Sequence, residues 1–164
     1  MNNVENVDVV EFEVADEHYA LDISLAREIV EMVPITPVPR APPHIAGIIN
    51  LRGEITTVMD LSTLLGIARA GEAERQKIII LVPEAAGGSN VGIIVDDVLS
   101  VMQVSENDVE RMDDSIARDA FVKGIIKIGL DKNGDKDKDK GEVKNLVIWI
   151  DVQKILEQLN AYAV

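Results

Sequence analysis

Aliphatic residues recur at alternate positions along much of the chain, most clearly from Ile45 to Leu65, IAGIINLRGEITTVMDLSTLL. Ile48, Ile49 and Leu51 lead to Arg52-Gly53. Ile55, Thr57 and Met59 then alternate with Thr56, Val58 and Asp60, the two-residue period of a strand built on β-branched side chains. This predicts a strand, a tight turn at Arg52-Gly53 and a second strand, with Gly53 suited to a turn position of positive φ. Asp60 can accept hydrogen bonds from the free amides of Leu61-Ser62-Thr63, so a short helix is expected to start there.

The same reading extends along the chain. Val10, Phe12 and Val14 alternate with Glu11 and Glu13 and predict a half-buried strand, with Ala15 to His18 as a turn and Tyr19 to Ile23 as the hairpin partner. Ser24 to Arg27 reads as one helical turn capped by Ser24, and Glu28 to Val33 as another strand. Five of the six prolines (Pro34, Pro37, Pro39, Pro42 and Pro43) fall in ten positions and predict an extended connector, because their missing amide donors exclude helix and central strand. A Pro-x-x-Pro ligand for an SH3-type domain is the alternative; a stiff crossover is preferred, since short proline spacings arise easily. Ile67 to Gln76 is a polar connector, and Lys77 to Val82 is a nearly unbroken aliphatic run, hence a strand buried on both faces. Pro83 to Asn90 turns the chain and Val91 to Val95 pairs back, with Gly92 marking a bulge or the close approach of another backbone. Leu99 to Val104 and Leu146 to Ile150 are further strands, and Val152, Ile155, Leu156 and Leu159 mark the buried face of a C-terminal helix.

The central unit occurs twice. Phe121 to Ile126 echoes His44 to Ile49, and Ile150 to Leu156 echoes Met59 to Leu65. Upstream, Leu21-Asp22-Ile23 followed by Ile29 to Met32 finds a counterpart in Val95 to Val98 followed by Val101-Met102. The second copy is longer between its Gly and its helix-opening Asp, by about the length of the charged stretch Asp131 to Glu142, which reads as an insertion in one hairpin. Three matches in one order imply two related β-modules, each closed by an Asp-capped helix.

The bulk numbers narrow the partners. A chain of 164 residues suits one domain, or two very small ones sharing a core, and should bury roughly 70 % of its unfolded surface. Aromatics are only 3 %, so aliphatic side chains must fill the core. The net charge of −13 would repel phosphate backbones and anionic membrane surfaces, which argues against nucleic acid as a partner. With no cysteine there is no disulfide, thiolate metal site or cysteine nucleophile. The acidic N-terminal stretch does not read as a secretory signal, and the longest purely aliphatic run, Ile78 to Val82, is far short of the ~20 residues of a membrane span. A cytoplasmic protein without direct membrane insertion is the expectation.

No catalytic constellation emerges. His18 and His44 are not spaced to pair a base with a nucleophile or to share a metal, and both read as surface residues. Gly87 to Gly92 resembles a phosphate loop but lacks the following Lys-Ser/Thr and leads into a strand, so it is a hairpin turn. Asp131, Asn133, Asp135, Asp137, Asp139 and Glu142 match the ligand places of an EF-hand-type calcium loop. However, Lys136 stands where the sharp turn needs Gly, and four lysines would crowd the cation. A self-neutralising loop is preferred over calcium binding. Arg52 is different: a cation held on a rigid hairpin tip in an acidic chain is a candidate recognition point.

Gly47-x-x-Asn50-Leu51-Arg52-Gly53, then Val58-x-Asp60-Leu61, then Gly92-Ile93-Ile94-Val95-Asp96, resembles the CheW family of chemotaxis coupling proteins over roughly Val9 to Leu159. The resemblance implies a mainly β fold of two small SH3-like five-stranded β-barrel subdomains with short helices, including a C-terminal helix. The expected organisation is a flexible N-terminus (1–8), one domain of two intertwined subdomains (9–160) with the inserted charged loop 131–142, and a tail (161–164). It also implies an adaptor that needs no cofactor, catalyses nothing, and links the cytoplasmic tip of transmembrane chemoreceptors to the regulatory domain of a CheA-type histidine kinase at membrane-associated arrays. A CheW-like scaffold of another two-component system is the alternative. By position, kinase contact falls to Ala26, Gly47 and Gly92, and receptor contact to Glu28, Arg52 and Ile78. Two departures from the family pattern are Ala26, smaller than the usual Val, and Asp97, where a small Gly is common.

Overall fold

A computed structural model describes residues 6–67, 75–116, 121–128 and 145–160. The first half of the chain supplies β1 (Val7–Val14), β2 (Glu17–Asp22), β3 (Ala26–Glu31), β4 (Ile45–Leu51), β5 (Glu54–Asp60) and helix α1 (Leu61–Leu65). The second half supplies β6 (Lys77–Leu81), β7 (Val91–Val95), β8 (Asp97–Val104), β9 (Val109–Glu110), β10 (Val122–Ile128), β11 (Asn145–Ile150) and helix α2 (Val152–Asn160). The helix starts follow the capping logic of the sequence. Asp60 Oδ1 accepts from the Ser62 amide at 3.0 Å, and Asp151 Oδ1 from the Lys154 amide at 3.1 Å.

Two mixed sheets form, a six-stranded one in the order β8-β1-β2-β11-β10-β9 and a five-stranded one in the order β3-β6-β7-β5-β4. Position by position, β8-β1-β2-β11-β10 matches β3-β6-β7-β5-β4. In each sheet the third and fourth strands of this series run parallel and the other neighbours antiparallel. The duplication read from the sequence is therefore real, and it is interlocked. The first-half hairpin β1–β2 sits among second-half strands, and the second-half pair β6–β7 sits among first-half strands.

The registers sharpen the correspondence. The β4/β5 ladder shifts between Ile45 and Gly47, and the β10/β11 ladder between Val122 and Gly124. Asp60 donates its amide to the His44 carbonyl, and Asp151 its amide to the Phe121 carbonyl. Thr36 bridges Ile48 as Glu110 pairs Ile125. Only the upstream echo moves: Ala20 faces Trp149 where Gly92 faces Val58, so Asp22 corresponds to Ile94 and not to Asp96.

Burial explains the apolar runs. Between the sheets lies one cluster to which β1 and β2 contribute Phe12, Val14, Tyr19 and Leu21, β6 and β7 contribute Ile79, Leu81, Val91, Ile93 and Val95, and the helices contribute Leu61, Val152 and Leu156. The alternate residues of β6 and β7, Ile78, Ile80 and Ile94, fill a second cluster on the outer face with Ile49 and Val58. Because both faces are covered, these strands read as continuous aliphatic stretches. Val9, Ala20, Val104, Ile126, Val147 and Trp149 form the equivalent outer cluster of the six-stranded sheet. Tyr19 stacks on Phe12 with ring centroids 6.1 Å apart, and burial, then the nearby Glu17, raises its phenol above the ordinary value.

Two five-stranded barrels do not form. The sheets have six and five strands, and neither closes: β8 and β9 end one, β3 and β4 the other, without a ladder joining the ends. Closure needs the first and last strands to share backbone hydrogen bonds at matched tilt and stagger. Here the edges of the five-stranded sheet meet only through side chains, described below.

Local expectations shift in smaller ways. Ser24 lies inside a 3₁₀ turn, Ile23–Leu25, and does not cap it. Gly92 answers side chains rather than a bulge. The proline connector is the expected crossover: Thr36 exchanges two 2.9 Å backbone hydrogen bonds with Ile48. The stretch Asp131 to Glu142 lies outside the described residues, as do 1–5 and the tail 161–164.

Two outcomes follow from the interlocking. Polypeptides 1–70 and 71–164, expressed separately, are expected to be unfolded by circular dichroism and to regain β structure when mixed; independent folding of either would contradict the exchanged hairpins. Gly47 has φ +150°, and a Cβ there would collide with the Thr36 carbonyl. Gly47→Ala is expected to lower the unfolding free energy by about 2–4 kcal/mol in urea denaturation.

Candidate functional site

The β4–β5 hairpin turns through Arg52 and Gly53, whose φ angles of 50° and 88° are both left-handed. Such a turn matches the right-handed twist of the flanking strands. Asn50 Oδ1 accepts the Gly53 amide at 2.8 Å and fixes the turn from inside. Arg52, a non-glycine residue in this conformation, is held there by the ladder on either side.

From that tip the guanidinium crosses to the opposite edge of the sheet, where its Nη2 donates to Glu28 Oε2 on β3. A second pair, Arg27 with Glu54 at 3.9 Å, runs in the reverse sense between the same elements. The first is the better sheltered on its acidic side, with the Glu28 side chain 28 % exposed. Arg52 itself is 61 % exposed and keeps donors free for a partner. Exposed pairs of this kind contribute only about 0–1 kcal/mol to stability.

Apolar side chains frame the pairs. Ile55, next to Glu54, is 57 % exposed, and Ile29, next to Glu28, is 41 % exposed. Val33 and Val38 on the connector are exposed as well. Sequence reasoning did not single out any of these four. The alternation of β5 sets Ile55, Thr57 and Met59 against Thr56, Val58 and Asp60 without saying which face is inside, and the structure buries Thr56 and Val58. The edge position of β3 could have pointed to Ile29, since an edge strand leaves one face and one backbone row uncovered.

The six residues singled out by sequence do not form one patch. Glu28 and Arg52 meet at the surface. Ile78 is fully buried beneath them in the outer cluster, opposite Val30 of β3. Gly92 is buried between Val58 and Ile80, and a Cβ there would lie 2.8 Å from Ile78 Cγ2. Gly47 is buried under Ile35 and Thr36. Ala26 is half-buried at the start of β3, opposite Leu81. Gly47 and Gly92 thus sit where the lack of a Cβ permits close packing of the sheet and its cover.

Among the described residues no group of three or more His, Asp or Glu is placed to hold a metal ion, and no helix is long and apolar enough to cross a membrane. His18 is not a bare surface residue. Its Nδ1 lies 2.7 Å from Glu11 Oε2 across the β1–β2 hairpin.

Comparison with known proteins is consistent along nearly the whole chain. Residues 8–160 match the family model of the CheW-like domain. The chain is 32 % identical over 155 residues to the chemotaxis protein CheW of Thermotoga maritima, covering 93 % of this chain and 89 % of that one. It is 34 % identical over 124 residues to the chemotaxis protein CheW of Rhizobium meliloti, covering 74 % and 77 %. Among solved structures it is similar to the scaffolding protein TtCheW of Thermoanaerobacter tengcongensis, with a TM-score of 0.71 at 34 % identity, covering 91 % and 86 % of the two chains.

A double-mutant cycle with Arg52→Ala and Glu28→Gln in urea denaturation is expected to give a coupling below about 1 kcal/mol. A coupling above about 2 kcal/mol would make the pair a structural clamp.

Proposed function

The chain belongs to the CheW-like family, and on that premise we propose that the Arg52–Glu28 face of its five-stranded sheet receives the cytoplasmic tip of a chemoreceptor. The protein is a chemotaxis adaptor that links receptors to a CheA-type histidine kinase by binding and not by catalysis.

The observation that carries the placement is a pair that contributes little to folding yet sits on a rigid, left-handed turn among exposed aliphatic residues. The surface would suit the tip helix of a receptor hairpin that carries an apolar stripe and carboxylates. Ile29 and Ile55 would meet the stripe, and Arg52 would donate to a receptor carboxylate in addition to, or in exchange for, Glu28. Ile78 acts from below, through the packing of Val30 that holds β3 at its position.

For the kinase regulatory domain, Ala26, Gly47 and Gly92 act by setting shape. Gly47 lets the proline connector lie against β4, and Gly92 lets Ile78 and Ile80 close over β7. Substitutions at either glycine would alter kinase binding by moving the surface above them. The working location is the cytoplasm, with recruitment to membrane-associated receptor arrays through these contacts.

Arg52→Ala is expected to weaken binding of a receptor cytoplasmic fragment about tenfold in a titration, with melting temperature and kinase binding unchanged. Unchanged receptor affinity would remove Arg52 from the surface. Gly92→Ala is expected to weaken kinase binding together with a drop in melting temperature; weaker binding at unchanged stability would mean direct contact instead.

A further inference from the structure

On the six-stranded sheet, away from the Arg52 surface, a cavity of about 340 Å³ opens at the end of the outer cluster, with Val7, Val104, Val109 and Trp149 as apolar lining. Arg111 and Lys123 also line it. Lys123 Nζ lies 5.0 Å from the centroid of the Trp149 ring and donates to both carboxylate oxygens of Asp22, at 3.3 and 3.2 Å. Trp149 Nε1 donates to the same carboxylate at 2.7 Å.

The duplicated half of the molecule serves as an internal control. By the matched registers, the positions of Asp22, Lys123 and Trp149 correspond to Ile94, Ala46 and Val58 in the five-stranded sheet. An aliphatic trio therefore builds the same strand junction, and the fold itself does not require a buried indole tied to a carboxylate and an ammonium. The indole is buried with its N–H held by Asp22, while the Lys123 ammonium stays exposed and also lines the cavity, so this sheet places polar groups where the other has only packing.

The charge of the lining gives the use a sign. Arg111 and Lys123 face the cavity against one acid, Glu106, in a chain whose net charge is −13. The Asp22 carboxylate is already engaged by Trp149 and Lys123. Arg111 has no ion-pair partner among the described residues, so its guanidinium is available at the cavity wall. A volume of this size is at the small end of ligand sites.

We propose that this cavity binds a small amphipathic carboxylate, its apolar body against Val104, Val109 and the edge of Trp149 and its carboxylate on Arg111 with Lys123 beside it. The bidentate geometry of a guanidinium favours a carboxylate over a neutral amide, and the two cations disfavour an ammonium. The site does not depend on the receptor or kinase assignments.

Trp149 is the single tryptophan and reports occupancy directly. The whole protein would be titrated with 3-phenylpropionate, 3-phenylpropanamide and 2-phenylethylamine, following Trp149 emission and the methyl NMR shifts of Val104 and Val109. The acid is expected to give a saturable change with a dissociation constant of about 1 mM or tighter, the amide and the amine to bind about tenfold more weakly, and Arg111→Gln to weaken the acid about tenfold at unchanged melting temperature. Absence of a saturable change in both signals, equal binding of the amide or amine, or full affinity in Arg111→Gln would each overturn the proposal.

Discussion

Everything in this molecule depends on two parallel seams. β2 lies beside β11 and β5 beside β7, and at each seam a strand from one half of the chain meets a strand from the other. Each seam is short, with three and four registered residue pairs. Hydrogen bonds of that number contribute modestly in net terms, about 1 kcal/mol each. The larger effect is geometric: together with the longer β1/β8 and β3/β6 ladders, the seams hold β1–β2 and β6–β7 in exchanged positions and bring Phe12, Leu21, Ile79, Leu81 and Ile93 face to face in one shared cluster. Neither half owns a core by itself.

The exchange also explains how function is laid out. Because β6 and β7 are covered on both faces, Ile78 and Gly92, which fall on them, are buried in the packing of the sheet. Surface chemistry is left to the edges and the hairpin tip. There the acidic chain places Arg52 and Arg27 against Glu28 and Glu54, so that charge is balanced locally while exposed Ile29 and Ile55 supply an apolar contact. An adaptor needs such a division, with a rigid body that resists deformation and a rim that can exchange one weak ion pair for another.

Much of this was legible in the sequence. Alternation placed most of the strands, Asp60 and Asp151 marked both helix starts, and the echo of His44–Ile49 in Phe121–Ile126 revealed the duplication. What could not be read was which strand pairs with which. Periodicity fixes the face that a residue takes, but a strand of the other half satisfies the same pattern as one of its own. The barrels came from the family resemblance and not from the pattern, and they do not form because the edge strands of each sheet share no ladder. The Asp22–Lys123–Trp149 cluster was invisible because the strand pairing was: its members are brought together by the β2/β11 seam, and Asp22 and Trp149 are 127 positions apart. Glu28 and Arg52, which the resemblance grouped with Ile78, are paired in the structure, and Gly47 lies against Thr36, a contact that no local pattern announces.

The parallel seam of β2 has a bearing on how the protein is made. During synthesis the hairpin β1–β2 leaves the ribosome long before β11, the strand that it pairs with in parallel. At typical elongation rates of about 5–20 residues per second, the nascent hairpin waits many seconds with Tyr19 and Leu21 uncovered. Completion of that sheet is therefore governed by distant contacts, which slow folding, and a net charge of −13 favours solubility of the chain while it waits.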